Sequence, residues 1–209
     1  MALPTKCDMP DLADLNQQKA VSRYLMTGLI GSDNNLNKNF VLNRKVFVRL
    51  ADKAVYEYLS ARDNVINQIS DKEGGIYLVG IINHLENCII SLRGLFYIFD
   101  HIKKDKDNKF FIERTSRKLI ESKFGVIKNI RDAIIHIEEE IRNGKIKDGQ
   151  MIALDISEDA SMIAIGDREL SIFDLANNIR RFHALALEIA TYNAPGTKPE
   201  DFKILKEKL

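Results

Sequence analysis

The chain has 209 residues, 45% of them apolar and 29% charged, with a formal net charge of +1. That length can bury a core without disulfide or metal staples, and the near-neutral balance excludes a strongly basic nucleic-acid coat protein while leaving room for a local basic patch. The cysteines, Cys7 and Cys88, form no cluster with zinc spacing, and nothing supports a bridge between them, so reduced thiols are expected.

Residues 1–10 hold no continuous apolar run, so no signal peptide and a cytoplasmic location are expected. Residues 11–30 read as a helix, with Leu12, Leu15, Leu25 and Leu29 as anchors. Residues 31–39 are rich in Gly, Ser, Asp and Asn and read as a loop. A strong helix is predicted over 45–69, where Phe47, Leu50, Ala54, Tyr58, Ala61, Val65 and Ile69 recur at steps of three and four.

The next helix is predicted over 76–101, with Leu78, Ile82, Leu85, Ile89, Leu92, Phe96 and Phe99 as its stripe. Asn83, His84, Glu86, Asn87 and Arg93 interrupt this stretch. A membrane span needs about 20 predominantly apolar residues, so a buried core helix is expected instead. Residues 103–118 carry seven basic and three acidic side chains. They fit a solvated connection, or a contact with an RNA backbone.

Residues 115–142 read as one long helix, with Ile120, Phe124, Ile127, Ile130, Ile134, Ile137 and Ile141 in register and Asn143-Gly144 as its stop. The period then changes. Two short apolar runs, 151–156 and 161–165, predict a β-hairpin. Ser171, with Asp174 three residues later, marks a capping-box start for a helix to about Tyr192. The expected fold is mainly α: one domain over 1–209, an antiparallel bundle of four or five main helices with an inserted β-hairpin near 151–165. Residues 1–40 would be an N-terminal helix-and-loop appendage, and 195–209 a C-terminal tail that could add a short charged helix.

The sequence lacks GxGxxG, GxxxxGK[ST], GxSxG and HExxH, and has no paired ExxH, so no cofactor and no metal site are predicted. Of the four histidines, His101 sits among lysines and reads as solvated, and His84 lies on the flank of its stripe. His183 lies near the middle of an apolar stripe, so it is expected to be buried or at an interface.

The run Asn129-Ile130-Arg131-Asp132-Ala133-Ile134-Ile135-His136-Ile137-Glu138-Glu139 stands apart. Arg131 falls within the apolar stripe, and Glu138 returns to nearly the same angle one heptad on. A charge there needs a partner. It could be Glu138, a neighbouring helix, a second chain or a polar cleft.

This run resembles the Arg-x(4–6)-His signature of the HEPN superfamily, the higher-eukaryote and prokaryote nucleotide-binding helical domains. The four-residue spacer between Arg131 and His136, the polar Asp132 after the arginine, and the place on a late helix of a bundle all match. The resemblance extends mainly over 76–140; the hairpin is outside the minimal family pattern. It implies a metal-independent endoribonuclease of toxin or phage-defence type, working as a homodimer on RNA. It also implies a nucleotidyltransferase-type antitoxin as partner.

In that reading His136 transfers the proton and Arg131 stabilises the phosphate charge, while Asp132 or Glu138 orients them. On an ideal helix Arg131 and His136 point about 140° apart, so a composite cleft between two chains is needed. The alternative is a non-catalytic interaction module with Arg131 and His183 as interface residues, or an unrelated bundle in which Arg131 only pairs with Glu138.

Overall fold

Four long helices set the architecture, which a computed structural model describes for residues 3–29, 36–71, 75–105, 110, 112–144 and 153–192. In chain order the elements are α1 (Ala13–Asn16), α2 (Ala20–Leu29), α3 (Lys38–Asp71), α4 (Leu78–Lys104), α5 (Arg114–Glu121) and α6 (Phe124–Arg142). Then come β1 (Asp155–Ile156), β2 (Met162–Ile165), β3 (Arg168–Ser171) and α7 (Ile172–Thr191). The mainly helical bundle with an inserted hairpin is thus the observed fold, with a third strand added.

α3 and α4 form the spine. Their contacts run in opposite senses along the two helices: the Cys88 thiol faces the Ala54 carbonyl, and His84 Nδ1 lies 2.7 Å from Glu57 Oε2. They cross closely. A Cβ built on Gly80 would stand 2.7 Å from Asn64 Nδ2, and one on Gly94 2.9 Å from Leu50 Cδ1. α7 packs across the spine and carries the core hub. The Phe182 ring meets Phe47, Phe96 and Phe99 at 5.9, 4.8 and 6.1 Å. α6 packs against α4, β2 and β3.

Several boundaries differ from expectation, each for a local reason. α3 starts at Lys38 rather than near residue 45, because the Asn37 carboxamide oxygen accepts the Phe40 N–H at 2.8 Å. The predicted helix over 11–30 is two pieces, α1 and α2. The Asp52 carboxylate reaches across from α3 and accepts the Ala20 and Val21 N–H groups, both at 2.9 Å, so α2 starts afresh there. Leu12 is buried as expected, Leu15 is half-buried, and Leu25 is exposed; the Leu29 side chain lies outside the described residues.

The predicted helix over 115–142 breaks at Ser122-Lys123, where the Ser122 hydroxyl donates to the Leu119 carbonyl. The break shifts the apolar face. Ile120, Ile127, Ile130 and Ala133 are buried, whereas Phe124 and Ile141 of the expected stripe are exposed.

The sheet is an antiparallel meander in the order β1-β2-β3, pairing Ile156 with Ile163 and Ile163 with Leu170. Gly166, at φ 63°, makes the tight connection between β2 and β3. β3 runs straight into α7. Ser171 makes no side-chain cap, and Asp174 binds Lys123 of the α5–α6 junction at 2.8 Å, so the expected capping box does not form.

The turn between β1 and β2 is held by Asp159. Its Oδ1 accepts the Ser157 and Ser161 hydroxyls at 2.6 and 2.7 Å and the Ser161 N–H at 3.0 Å. These bonds, led by that from Ser157, hold its carboxyl down to about 2. The Thr5 and Asp8 N–H groups donate to the Glu158 and Asp159 carbonyls, which fastens the N-terminal segment to this turn. Met9, Leu12 and Ala20 from the first forty residues are part of the core.

At the other end of the bundle, the fully buried Arg44 donates from Nη1 to the Tyr192 carbonyl at 2.7 Å and lies 5.1 Å from the Tyr24 ring. Among the described residues no helix is long and apolar enough to cross a membrane.

Candidate functional site

α6 fixes the positions of all four residues singled out in the sequence. Ile127, Ile130 and Ala133 seat one face of this helix on the core. Arg131 therefore falls at the rim of the buried arc, with its side chain 32% exposed. Its Nη1 pairs with Asp132 Oδ1 at 2.9 Å. The neighbour in sequence thus meets the need for a partner. The Glu138 side chain lies outside the described residues.

His136 faces solvent, 52% exposed, with Nδ1 3.4 Å from Glu139 Oε2. Within one chain Arg131 and His136 engage different carboxylates and point about 140° apart. Arg131 shares its edge of α6 with Phe124, Lys128, Ile135, Glu138 and Arg142, positions that recur at steps of three and four. This edge mixes cations with exposed apolar side chains.

The edge abuts a cavity of about 540 Å³ between α4 and the α5–α6 junction. Arg93, Tyr97, Asp100, Lys103, Glu121 and Phe124 surround it, and Phe96 and Phe99 form its floor. The Arg93 guanidinium lies 5.2 Å from the Phe124 ring centre. Its Nε is buried without a hydrogen-bond partner among the described residues. Lys103 bridges Asp100 and Glu121 at 3.1 and 2.9 Å. Hydrogen bonds from Lys104 first, and then from Lys103, hold the Asp100 carboxyl below its ordinary range.

So Lys103 and Lys104, counted in the basic run, are neutralised by local acids, while Arg114 and Lys118 of α5 stay exposed and Arg117 is half-buried. Residues 106–109 of that run lie outside the described residues. Sequence reasoning did not assemble this cavity. Its one visible trace was Arg93, a cation in the most apolar stretch of the chain.

A second cavity, of about 330 Å³, lies between α1, α3 and α7. Lys19, Asp52, Lys53, Tyr56 and His183 line it. His183 is buried, as its stripe position predicts, and burial pushes its pKa below the ordinary value. His84 lies against Glu57, and His101 is exposed beside the Tyr97 ring. Both cysteines are free thiols. Among the described residues no group of three or more His, Cys, Asp or Glu side chains could hold a metal ion.

No protein-family model, curated protein or solved structure matches the chain.

Proposed function

We propose that the chain is a HEPN-like endoribonuclease that cleaves RNA as a homodimer without a metal ion. The observation that carries this reading is the solvent-facing imidazole of His136, five residues from a rim-placed Arg131 on one helix of a bundle. A carboxylate, Glu139, stands 3.4 Å from its ring. Such an imidazole can take the proton of an RNA 2′-hydroxyl. The alkoxide attacks the adjacent phosphorus, the P–O5′ bond breaks as the 5′-oxygen takes a proton back from the imidazolium so formed, and the products are a 2′,3′-cyclic phosphate and a 5′-hydroxyl. The fork of Arg131 stabilises the charge gathering on the phosphoryl oxygens.

The 140° separation requires that two copies meet along α6 and pool their Arg131 and His136 pairs. The apolar Phe124 and Ile135 exposed beside Arg131 support such a meeting. A toxin or phage-defence role, with a nucleotidyltransferase-type antitoxin, follows from the same resemblance.

The test is cleavage of total RNA by wild type, His136→Ala and Arg131→Ala in excess chelator, beside sedimentation of each. The expected result is a dimer whose wild type cleaves to cyclic phosphate ends and whose variants lose about 10²–10⁴-fold in rate. Undiminished cleavage by folded His136→Ala overturns the mechanism. The non-catalytic interaction module rests on that same mixed face of α6. It predicts an inert wild type and an Arg131→Ala protein that no longer self-associates.

A further inference from the structure

We infer that the outer face of the α3–α4 pair is a track for single-stranded RNA, with four cations following the backbone and two tyrosines receiving bases. That the strand is RNA rests on the ribonuclease reading above; the track itself rests on α3 and α4. Lys45, Arg49 and Lys53 recur at steps of four along the exposed side of α3. Each step advances about 6 Å along the helix, so the three charges span about 12 Å, a spacing on the scale of successive nucleotides. Lys19, exposed just before α2, shares with Lys53 and Tyr56 the wall of the smaller cavity.

These charges are not offset locally. None of the four cations forms an ion pair among the described residues. The nearby carboxylates are engaged elsewhere: Asp52 accepts the Ala20 and Val21 N–H groups, and Glu57 lies against His84. The next exposed carboxylate along α3, Asp63, comes ten residues after Lys53. A stripe of one sign on a chain of near-neutral balance attracts a polyanion, which gains by releasing its counterions.

The aromatic side chains narrow the kind of polyanion. Leu50 lies against Gly94, Ala54 beside Cys88 and Glu57 beside His84. That register puts Tyr97, three residues past Gly94, level with the turn of α3 that carries Lys45 and Arg49. Tyr97 is 58% exposed, and its ring stands 4.6 Å from that of the exposed His101. At the other end of the ladder Tyr56 is 62% exposed, with its ring 6.5 Å from that of His84. Cations that follow a backbone and rings on which bases stack are the two parts of a sequence-tolerant single-strand site. An acidic protein would answer the cations and leave both tyrosine faces without planar partners. The α6 edge at which two copies meet contributes none of these residues.

The experiment uses full-length His136→Ala protein as parent and fluorescence anisotropy with a labelled dodecauridylate across a salt series. Replacing Lys45, Arg49 and Lys53 together by Gln should weaken binding at least about tenfold at low salt. It should also flatten the plot of log affinity against log salt by about 2, at roughly 0.7 per lost phosphate contact. Tyr56→Ala and Tyr97→Ala should each lose about tenfold in affinity and keep the parent's salt slope. Excess polyglutamate should not displace the strand where unlabelled dodecauridylate does. All five side chains are exposed, so each variant should melt with the parent by circular dichroism.

No binding by the parent, an unchanged slope in the triple variant, undiminished binding in either tyrosine variant, or displacement by polyglutamate overturns the inference. The wild-type cleavage assay judges the nuclease reading separately. Cleavage by a protein whose binding ignores the ladder removes the track and leaves the enzyme, and ladder-dependent binding without cleavage does the reverse.

Discussion

His183 Nε2 on α7 stands 3.8 Å from Asp52 Oδ1 on α3, and that carboxylate also caps α2 through the Ala20 and Val21 N–H groups. Three helices therefore share one carboxylate beside a buried imidazole. Burial is the main force on the ring and disfavours its protonation. Asp52, the Gln18 backbone and Asp14 act the other way, and Arg180 adds to the burial effect.

The folded pKa of His183 lies below the ordinary 6.5. The folded form therefore keeps its full advantage above that value. The unfolded chain takes up the proton first as pH falls through it, and the advantage is lost by the folded pKa. Thermal melts between pH 7.5 and 5 should show Tm falling with pH. His183→Gln should have a lower Tm at neutral pH and a flatter slope. Parallel slopes would assign the acid sensitivity elsewhere.

Asp52→Ala removes the acceptor of two backbone donors at the start of α2. The loss should be about 1–2 kcal/mol, as for other helix caps. Asp52→Asn, which keeps an acceptor oxygen, should recover part of it. Chemical denaturation of the three proteins measures the ordering, and equal midpoints would contradict the capping role.

Phe182→Ala should cost about 3–5 kcal/mol, because the ring it removes touches Phe47, Phe96 and Phe99 and leaves a cavity among three helices. Phe173, the second residue of the same helix and 64% exposed, is the control. Phe173→Ala should stay within about 0.5 kcal/mol. Urea midpoints decide between them.

His136→Ala should leave stability within about 0.5 kcal/mol, because the side chain is half exposed and Glu139, its carboxylate neighbour among the described residues, is more exposed still. Circular dichroism melts matching wild type within about 2–4 °C are expected. A larger drop would mean that any loss of cleavage reports unfolding rather than chemistry.

The helices were legible because their apolar residues recur at three and four. Phe47, Ala54, Tyr58, Ala61 and Val65 all face the core as their spacing requires. What could not be read were decisions made by distant partners. Asp52 divides α1 from α2 from across the bundle. Asp174, which looks like a capping residue, is claimed by Lys123. A break at Ser122 turned Phe124 outward, though its spacing placed it inside.

The candidate site divides in the same way. Arg131 and His136 stand out in a six-residue window. Arg93, Tyr97, Glu121 and Phe124 gather only when α4 and the α5–α6 junction are laid side by side, and no local pattern announces that.

The bond from the Thr5 hydroxyl to the Glu158 carboxylate joins residues 153 apart in sequence, and the backbone bonds of Thr5 and Asp8 run beside it. Closing so long a loop sacrifices chain entropy before any contact repays it, whereas α3 and α4 are neighbours in sequence. The spine should therefore assemble early in folding, and the N-terminal clasp on the β1–β2 turn should seal last. Substitutions at Thr5 or Asp159 would then speed unfolding while scarcely slowing folding.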